Sequence, residues 1–476
     1  MNITDAILDN FTIKNYINEY EEYKSIKTDM LSDELTIKLM VGVDGLNQKH
    51  FDKRKEKIAE SVCKRIAEGN YFFHPYREID IPKEPNMTLK EAYKADTIRT
   101  LSVASIRDVV SQRLIYKAID PFFEEVFNKV PTVSFAYRSG FSAPQACRRI
   151  KRYIDEGYLY VLDADIKRFF DSIPHITLEN CIKKLITNDD FVISLLRRAY
   201  AADRVPHRTY RGNARIFYKK KPRRIRRTEG IPQGGVLSGL LANLYLHPFD
   251  LFVRSLQRQY DIKYVRYADD FVILSKDKKN IPKLKQEVDS NLTQIGLTLH
   301  PDNKKTKTLN LRHDQLNFVG FKISPKTIRV QEKNIYRFKS RIEKIIQNVK
   351  VWEPKTSEEF LVNRINTKLL GNEAIMKVCP ACHAVQTPRS WMAFFSTVTD
   401  VRQIRSLDIW IRKLIYRRFK QCDYPIEGPI RDITSLERLY FRFRKELRND
   451  MEFCKCTKSE QINAIGEGQA LIEMES

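Results

Sequence analysis

The sequence predicts an α+β protein, and three features predict it. Two apolar runs with strand character, 159–165 and 264–274, each end on or enclose carboxylates. Long stretches with helical spacing of apolar residues lie before and between them. From about residue 330 the strand patterns stop and helical spacing takes over.

In chain order, residues 1 to about 70 alternate charged and apolar positions as helices do, with a turn at GVDG, 42–45. Gly69 closes HFDKRKEKIAESVCKRIAEGNY as a C-cap. YFFHPYREIDIP then alternates as a strand. DTIRTLSVASIRDVVSQRLIYKAIDPFFEEVF reads as a short strand and a long amphipathic helix with Val109, Val110, Leu114, Ile115 and Ala118 on its apolar face. The next segment interleaves Phe135 and Tyr137 with Arg138, Arg148, Arg149, Lys151 and Arg152. Guanidinium groups bind phosphate and rings stack on bases, so this mixture suits nucleic acid. Taken singly, charges such as Arg77 and Lys83 near the ends of YFFHPYREIDIP are more often a solvated face than a ligand contact.

LYVLDADIKRFFDSIPH, 159–175, presents Asp163, Asp165 and Asp171, the first two on one strand face. VRYADDFVIL, 265–274, sets Asp269 and Asp270 at a tight turn between apolar runs. Alone, that turn is either a solvated hairpin tip or a divalent-metal site. If Asp165 lies on a neighbouring strand, three carboxylates converge, and such a set suits two-metal phosphoryl transfer.

Between these segments runs a basic stretch, 210–229, with Lys219, Lys220, Lys221, Arg223, Arg224, Arg226 and Arg227. Counterion release makes it a salt-sensitive nucleic-acid contact with little sequence information. GIPQGGVLSGLLANLYLHPFD follows, its glycines allowing close backbone approach ahead of a buried helix.

The 476-residue chain is long enough for two or three domains, and 42% hydrophobic residues suffice for ordinary cores. Its 84 Lys and Arg against 60 acidic residues give a net charge of +24, which points to a polyanionic partner. Eight cysteines without an apolar leader fit a reducing, cytoplasmic setting. The longest uncharged apolar run, VLSGLLANLYL, is too short to span a bilayer, so no membrane partner is expected.

In order and spacing, DIKRFFD, GIPQGGVLSGLLANLYLH, VRYADDFVIL, GLTLHPDNKKTKTL (296–309) and NFVGFKI (317–323) resemble the palm motifs of group II intron-like bacterial reverse transcriptases. GVDG, GNY, IPK and IRDVVSQR resemble that family's fingers segments. The resemblance implies a right-handed fingers-palm-thumb polymerase: a helical extension at 1–40, fingers at 41–160, palm at 161–330, and a helical thumb or X-like region at 331–448. It implies RNA-directed DNA synthesis from dNTPs on an RNA template, giving cDNA. Asp165, Asp269 and Asp270 would hold Mg²⁺, or Mn²⁺ in its place. Phe170 would be the steric gate against a 2′-hydroxyl. Pro232, Gln233 and Gly234 would line the nascent base-pair pocket, and Lys83 and Arg99 would neutralise the triphosphate. Lys305 would sit near the leaving phosphate, with Lys304 and Lys307 competing for that place. Two features depart from the family. Gly239 stands where proline usually follows the motif serine, and the stretch between Lys83 and Arg99 is longer than the usual finger turn.

In the C-terminal part, KNIYRFKSRIEKIIQNV and RSLDIWIRKLIYRRFKQ are basic amphipathic helices, the second with Ile409, Trp410, Leu414 and Ile415 as its apolar residues. Cys379-Pro380-Ala381-Cys382-His383 has the spacing of a haem-attachment or zinc motif, with unligated cysteines as the default. The tail, 449–476, turns acidic and brings no second Cys-x-x-Cys pair. Standalone relatives of this type resemble antiphage defence-associated reverse transcriptases paired with a structured noncoding RNA; the rival is an intron-encoded maturase. Oligomeric state has no sequence signature here.

Overall fold

The computed structural model describes residues 2–30, 41–84, 87–129, 132–186, 189–207, 219, 221–301, 305–347, 365–366, 369, 391–420, 433 and 435–448. Cys379 to His383 and the acidic tail lie outside the described residues, as do 208–218, Lys220 and Lys304.

Helices α1 (Ile3–Asn10), α2 (Ile13–Met30), α3 (Gln48–Asp52) and α4 (Lys55–Ala67) come first. Then follow β1 (Tyr76–Pro82), α5 (Leu89–Lys94), β2 (Ile98–Val103), α6 (Ile106–Asn128) and α7 (Ala143–Asp155). β3 (Tyr160–Asp165), α8 (Phe169–Ser172), α9 (His175–Leu185), α10 (Asp190–Tyr200) and β4 (Arg204–Val205) lead to α11 (Ser238–Tyr260). The hairpin β5 (Ile262–Tyr267) and β6 (Asp270–Ser275) precedes α12 (Asn280–Gln294), β7 (Lys307–Asn310), β8 (Leu316–Phe318), β9 (Phe321–Ile323) and β10 (Ile328–Val330). The last described elements are α13 (Glu332–Gln347), α14 (Trp391–Phe394), α15 (Val401–Lys420) and α16 (Leu436–Arg448).

The chain divides into two compact units, 1–138 with 162–308, and 139–161 with 309–476. Residues 139–161 cluster with the C-terminal part, where α7 packs against β9.

In the first unit, α6 starts at Ser105, whose hydroxyl accepts from the Asp108 amide. Val110, Leu114, Ile115 and Ala118 are buried as their spacing predicts, while Val109 is only half-buried. α2 joins α6 through ion pairs as well as packing: Lys117 Nζ lies 2.6 Å from Glu19 Oε2 and Arg113 Nη2 3.0 Å from Glu22 Oε1. β1 pairs antiparallel with β2, from Arg77 opposite Val103 to Pro82 opposite Ile98, and β4 adds to β1 in parallel. A four-stranded sheet in the order β5-β6-β3-β7 carries the carboxylates. Val161, Leu162 and Ala164 of β3 and Phe271 to Leu274 of β6 are all buried, so these central strands are apolar without alternation, as strands covered on both faces are.

In the second unit, β8, β9 and β10 form an antiparallel sheet. Phe338 of α13 stacks on Trp391 at 4.3 Å between ring centroids. Asp408 of α15 accepts from the Leu436 and Glu437 amides at 2.8 and 2.9 Å, so one carboxylate caps α16. The buried stripe of α15 is Ile404, Leu407, Ile411 and Ile415, which shifts the phase expected from sequence. Of the expected apolar residues only Ile415 is buried; Trp410 and Leu414 are half-buried, and Ile409 is 49% exposed. Four isoleucine and leucine side chains at spacings of three and four make the more continuous seam.

Candidate active site

The β5–β6 hairpin turns on two residues, Ala268 and Asp269, with Tyr267 opposite Asp270. Ala268 has φ 60, a left-handed conformation in which its Cβ is strained, so something must hold the turn. Arg266 does. Its Nη1 donates to the Ala268 carbonyl at 3.1 Å, while Nε and Nη2 donate to Asp250 at 2.8 and 2.5 Å. Nη1 also reaches Asn243 Oδ1 at 3.1 Å, and the Tyr264 hydroxyl donates to Asp250 at 2.8 Å. Asn243 and Asp250 are seven residues apart, hence on one face of α11. Arg266 is 1% exposed. Burial works against its charge, but Asp250 more than offsets this and raises the guanidinium above its usual pKa. Sequence reasoning missed this clamp; its signal was two polar residues at heptad spacing in a mostly apolar run, 240–253.

β3 lies beside β6 and ends at Asp165, whose main-chain oxygen accepts from the His300 amide at 2.8 Å. Asp269 is half-buried, and burial followed by the charge of Asp165 pushes its carboxyl up to about 6. Arg99 and Lys305 pull in the opposite direction. The two acids therefore share one electrostatic environment. Lys305 Nζ donates to Asp165 Oδ2 at 3.1 Å, and Lys307 Nζ lies 3.4 Å from Asp163 Oδ2. Of the two competing lysines among the described residues, Lys305 is on Asp165 and Lys307 on the neighbouring acid. Asp163 is buried, which pushes it up to about 6 against the pull of Lys307.

Among the described residues no group of three or more His, Cys, Asp or Glu side chains is assembled as a metal cage. Asp270 is beside the pair in the chain without completing a three-membered cluster. This donor set still fits a hard divalent cation. Mg²⁺ is usually held by one or two carboxylates, with phosphate oxygens and water filling its octahedron, and a cation would relieve the repulsion that raises Asp269.

The loop after the basic stretch is stitched to the segment bearing Phe170. The Gly230 amide donates to the Ile173 carbonyl at 2.8 Å and the Ile231 amide to the Phe170 carbonyl at 2.7 Å. Gly230 has φ 74, and a Cβ there would fall 2.7 Å from the Asp171 oxygen, so only glycine permits this approach. The Ser102 amide donates to the Gln233 carbonyl at 2.8 Å, and the Ser238 hydroxyl to that of Pro232 at 2.6 Å. Pro232 is buried, Gln233 half-buried and Gly234 exposed. Phe170 is half-exposed and meets Phe169 and Tyr137 edge-on, at 5.4 and 6.3 Å between centroids.

Lys83 and Arg99 are both exposed at the connected end of the β1–β2 pair. Their fields differ: Arg99 acts on Asp269, whereas Lys83 acts on Asp171. The longer connection between them holds α5, closed by a capping box of Thr88 and Glu91.

Two arginines expected to contact nucleic acid are instead interior. Arg138 donates to Glu124 at 3.0 and 2.8 Å and to Asn128 at 2.8 Å, with its guanidinium over the Phe127 ring. Arg227 is 8% exposed, and its Nη2 donates to Ser102 Oγ at 3.3 Å. In both cases a partner far along the chain or on another element claims the group. Lys219, Lys221, Arg223, Arg224 and Arg226 are exposed. In the second unit, Arg148 is exposed with a hydrogen bond to Thr397 at 3.2 Å, and half-buried Arg149 reaches Tyr153.

Paired acids at a strand end and a hairpin tip, with Lys305 on one and Arg99 in the field of the other, are an arrangement suited to a nucleotidyl-transferring polymerase. The family model "Reverse transcriptase (RNA-dependent DNA polymerase)" matches residues 81–323, just over half of the chain, and the chain belongs to that family. It is thus an RNA-directed DNA polymerase with the α+β reverse transcriptase fold. Protein YkfC of Escherichia coli K12 is 25% identical over 67% of this chain and 86% of its own length. The group II intron-encoded protein LtrA of Lactococcus lactis is 29% identical over 44% of this chain, and an uncharacterized 91 kDa protein in the cob intron of Schizosaccharomyces pombe 24% over 59%. The matches span only 30% and 38% of those two relatives. Among solved structures, a partial Cas6-RT-Cas1–Cas2 complex has a TM-score of 0.32 at 21% identity, covering 62% of this chain and 42% of that one. Telomerase from Candida albicans has 0.39 at 14%, covering 79% and 67%. Likenesses of that extent say nothing of function.

Proposed function

We propose that this enzyme copies an RNA template into cDNA at a site built on Asp165 and Asp269, with Asp270 as the third acid. The observation that carries the proposal is the Asp165–Asp269 pair at the ends of neighbouring strands, where burial and then the charge of Asp165 raise Asp269, with Lys305 on one carboxylate and Arg99 in the field of the other. Asp165 and Asp269, with Asp270, would hold two Mg²⁺ ions, or Mn²⁺, which when bound would supply charge stabilisation for the attacking and leaving oxygens. Arg99 and Lys83 hold the triphosphate from the fingers side. Lys305, which donates to Asp165, places its charge near the leaving phosphate. Pro232, Gln233 and Gly234 support the nascent base pair, and the division into fingers at 41–160, palm at 161–330 and thumb at 331–448 follows from the same reading.

Phe170 then closes the space a ribose 2′-hydroxyl would need. Replacing it with alanine is expected to raise ribonucleotide use relative to deoxyribonucleotide by about 10- to 100-fold, because steric exclusion by a ring is lost. Single-nucleotide incorporation with each class reads this directly, and an unchanged ratio would count against the gate.

The exposed basic stretch supplies affinity for RNA. Changing Lys219, Lys221, Arg223, Arg224 and Arg226 to glutamine should flatten the salt dependence of RNA binding by about 0.7 in log–log slope per lost phosphate contact. The effect should be uniform across RNA sequences. A filter-binding series in KCl with an unaltered slope would remove this stretch from the interface.

For the biological role, we propose antiviral defence in the cytoplasm with a cognate structured noncoding RNA as template, the role of the standalone reverse transcriptases this chain resembles. The similarity to LtrA favours a second reading, an intron-encoded maturase acting in splicing and retrohoming. Sequencing the DNA around the gene separates them: intron ribozyme domains contradict defence, and a short structured RNA gene supports it.

A further inference from the structure

Gly239 is the second residue of α11, and the space a side chain would need there is already occupied. Its occupant is Tyr137. A Cβ on Gly239 would lie 2.7 Å from the Tyr137 Cβ and closer still to its ring. No torsion of the tyrosine side chain relieves a clash with its own Cβ. Tyr137 in turn has φ 55, a left-handed backbone unusual for a bulky residue, and remains 49% exposed. From that seat its ring meets Phe170 edge-on at 90°, and its hydroxyl lies in the fields of Asp269 and Arg99. Strain at Tyr137 and the missing side chain at residue 239 thus place one aromatic ring between α11, the half-exposed Phe170 ring and the catalytic acid.

We infer that Tyr137, seated by Gly239, is a positioning residue that sets how stringently the nucleotide pocket rejects a ribose 2′-hydroxyl. It rests on the reading of Phe170 as the gate and adds a second ring that fixes where the first one stands. Phe170 sits on a four-residue helix, α8, preceded by Arg168 at φ 47, a short element with little rigidity of its own. One face of its ring needs a wall to hold a fixed distance to the sugar. Tyr137 is that wall. Because the contact is between rings, the phenyl group carries it and the hydroxyl is dispensable for selectivity. Proline at 239, like any residue with a Cβ, would exclude this tyrosine conformation, so Gly239 and Tyr137 act as one unit.

The test measures kcat/KM for single dNTP and rNTP additions on a primed RNA, for the wild type, Phe170→Ala, Tyr137→Ala, Tyr137→Phe, Gly239→Ala and the Phe170→Ala/Tyr137→Ala pair. Each comparison is a ratio within one enzyme, so a partly unfolded fraction cancels. An edge-on aromatic contact corresponds to roughly a two- to tenfold change in that ratio. Tyr137→Ala and Gly239→Ala are expected to raise rNTP use by that factor, Tyr137→Phe to keep the wild-type ratio, and the double variant to match Phe170→Ala alone. If Phe170→Ala raises rNTP use while Tyr137→Ala and Gly239→Ala leave the ratio at its wild-type value, the positioning role is overturned and the gate stands. If Phe170→Ala leaves the ratio unchanged, the gate itself falls, and with it this role.

Discussion

Replacing Asp269 with asparagine is expected to reduce dNTP incorporation by about 10³-fold or more while leaving RNA affinity within about twofold of the wild type. The magnitude follows from the chemistry: charge stabilisation at both reacting oxygens contributes several kcal/mol, and each 1.36 kcal/mol is tenfold in rate. Asparagine keeps the size of the side chain and the strand pairing of the hairpin, so the change isolates charge. RNA affinity is spared because it comes from exposed basic residues far along the chain, not from the acids. Asp269→Asn also removes the repulsion on Asp165, so Lys305 should hold Asp165 as before and the fold should lose nothing. Primer extension and RNA binding measured on one preparation read both halves. Incorporation at the wild-type level would remove Asp269 from the reaction.

The second large effect is on stability. Arg266→Met leaves Asp250 inside the protein without its cation, and breaking a buried pair from one side costs about 3–5 kcal/mol. It also removes the donor to the Ala268 carbonyl, so the strained turn under Asp269 loses its support. Urea unfolding should show the loss as a lower midpoint with an unchanged slope. Adding Asp250→Leu to Arg266→Met should recover most of the stability, because replacing both partners by apolar groups removes the orphaned charge. Activity should not return with it, since the turn is still unanchored. A single Arg266→Met variant as stable as the wild type would show that the pair holds nothing together.

The strands bearing the acids were legible in the sequence because their signal is local. An apolar run ending in Asp165 and a second interrupted by Asp269 can each be read from ten residues, and the four-stranded sheet joins them as β3 and β6. The helix α6 was legible for the same reason, from its own periodicity. What the sequence hid was the destination of each charge. Arg138 and Arg223 look alike in a basic protein, yet one finds Glu124 and is buried while the other faces solvent. Arg227 pairs with Ser102, 125 positions away, which no local pattern encodes. The phase of α15 was missed because Trp410 is large and draws attention, although Lys339 over its ring keeps it half-exposed and the smaller isoleucines form the seam. Gly239 was visible as a departure from the family. Its reason required the backbone of Tyr137, since only there does the space it leaves become a seat.

The most direct test of the central claim is extension of a DNA primer annealed to a defined RNA by the purified protein with Mg²⁺ and all four dNTPs, with the product sequenced. The account predicts DNA complementary to the RNA from the wild type and none from Asp165→Asn. No product from the wild type on any primed RNA, or equal product from Asp165→Asn, would contradict it.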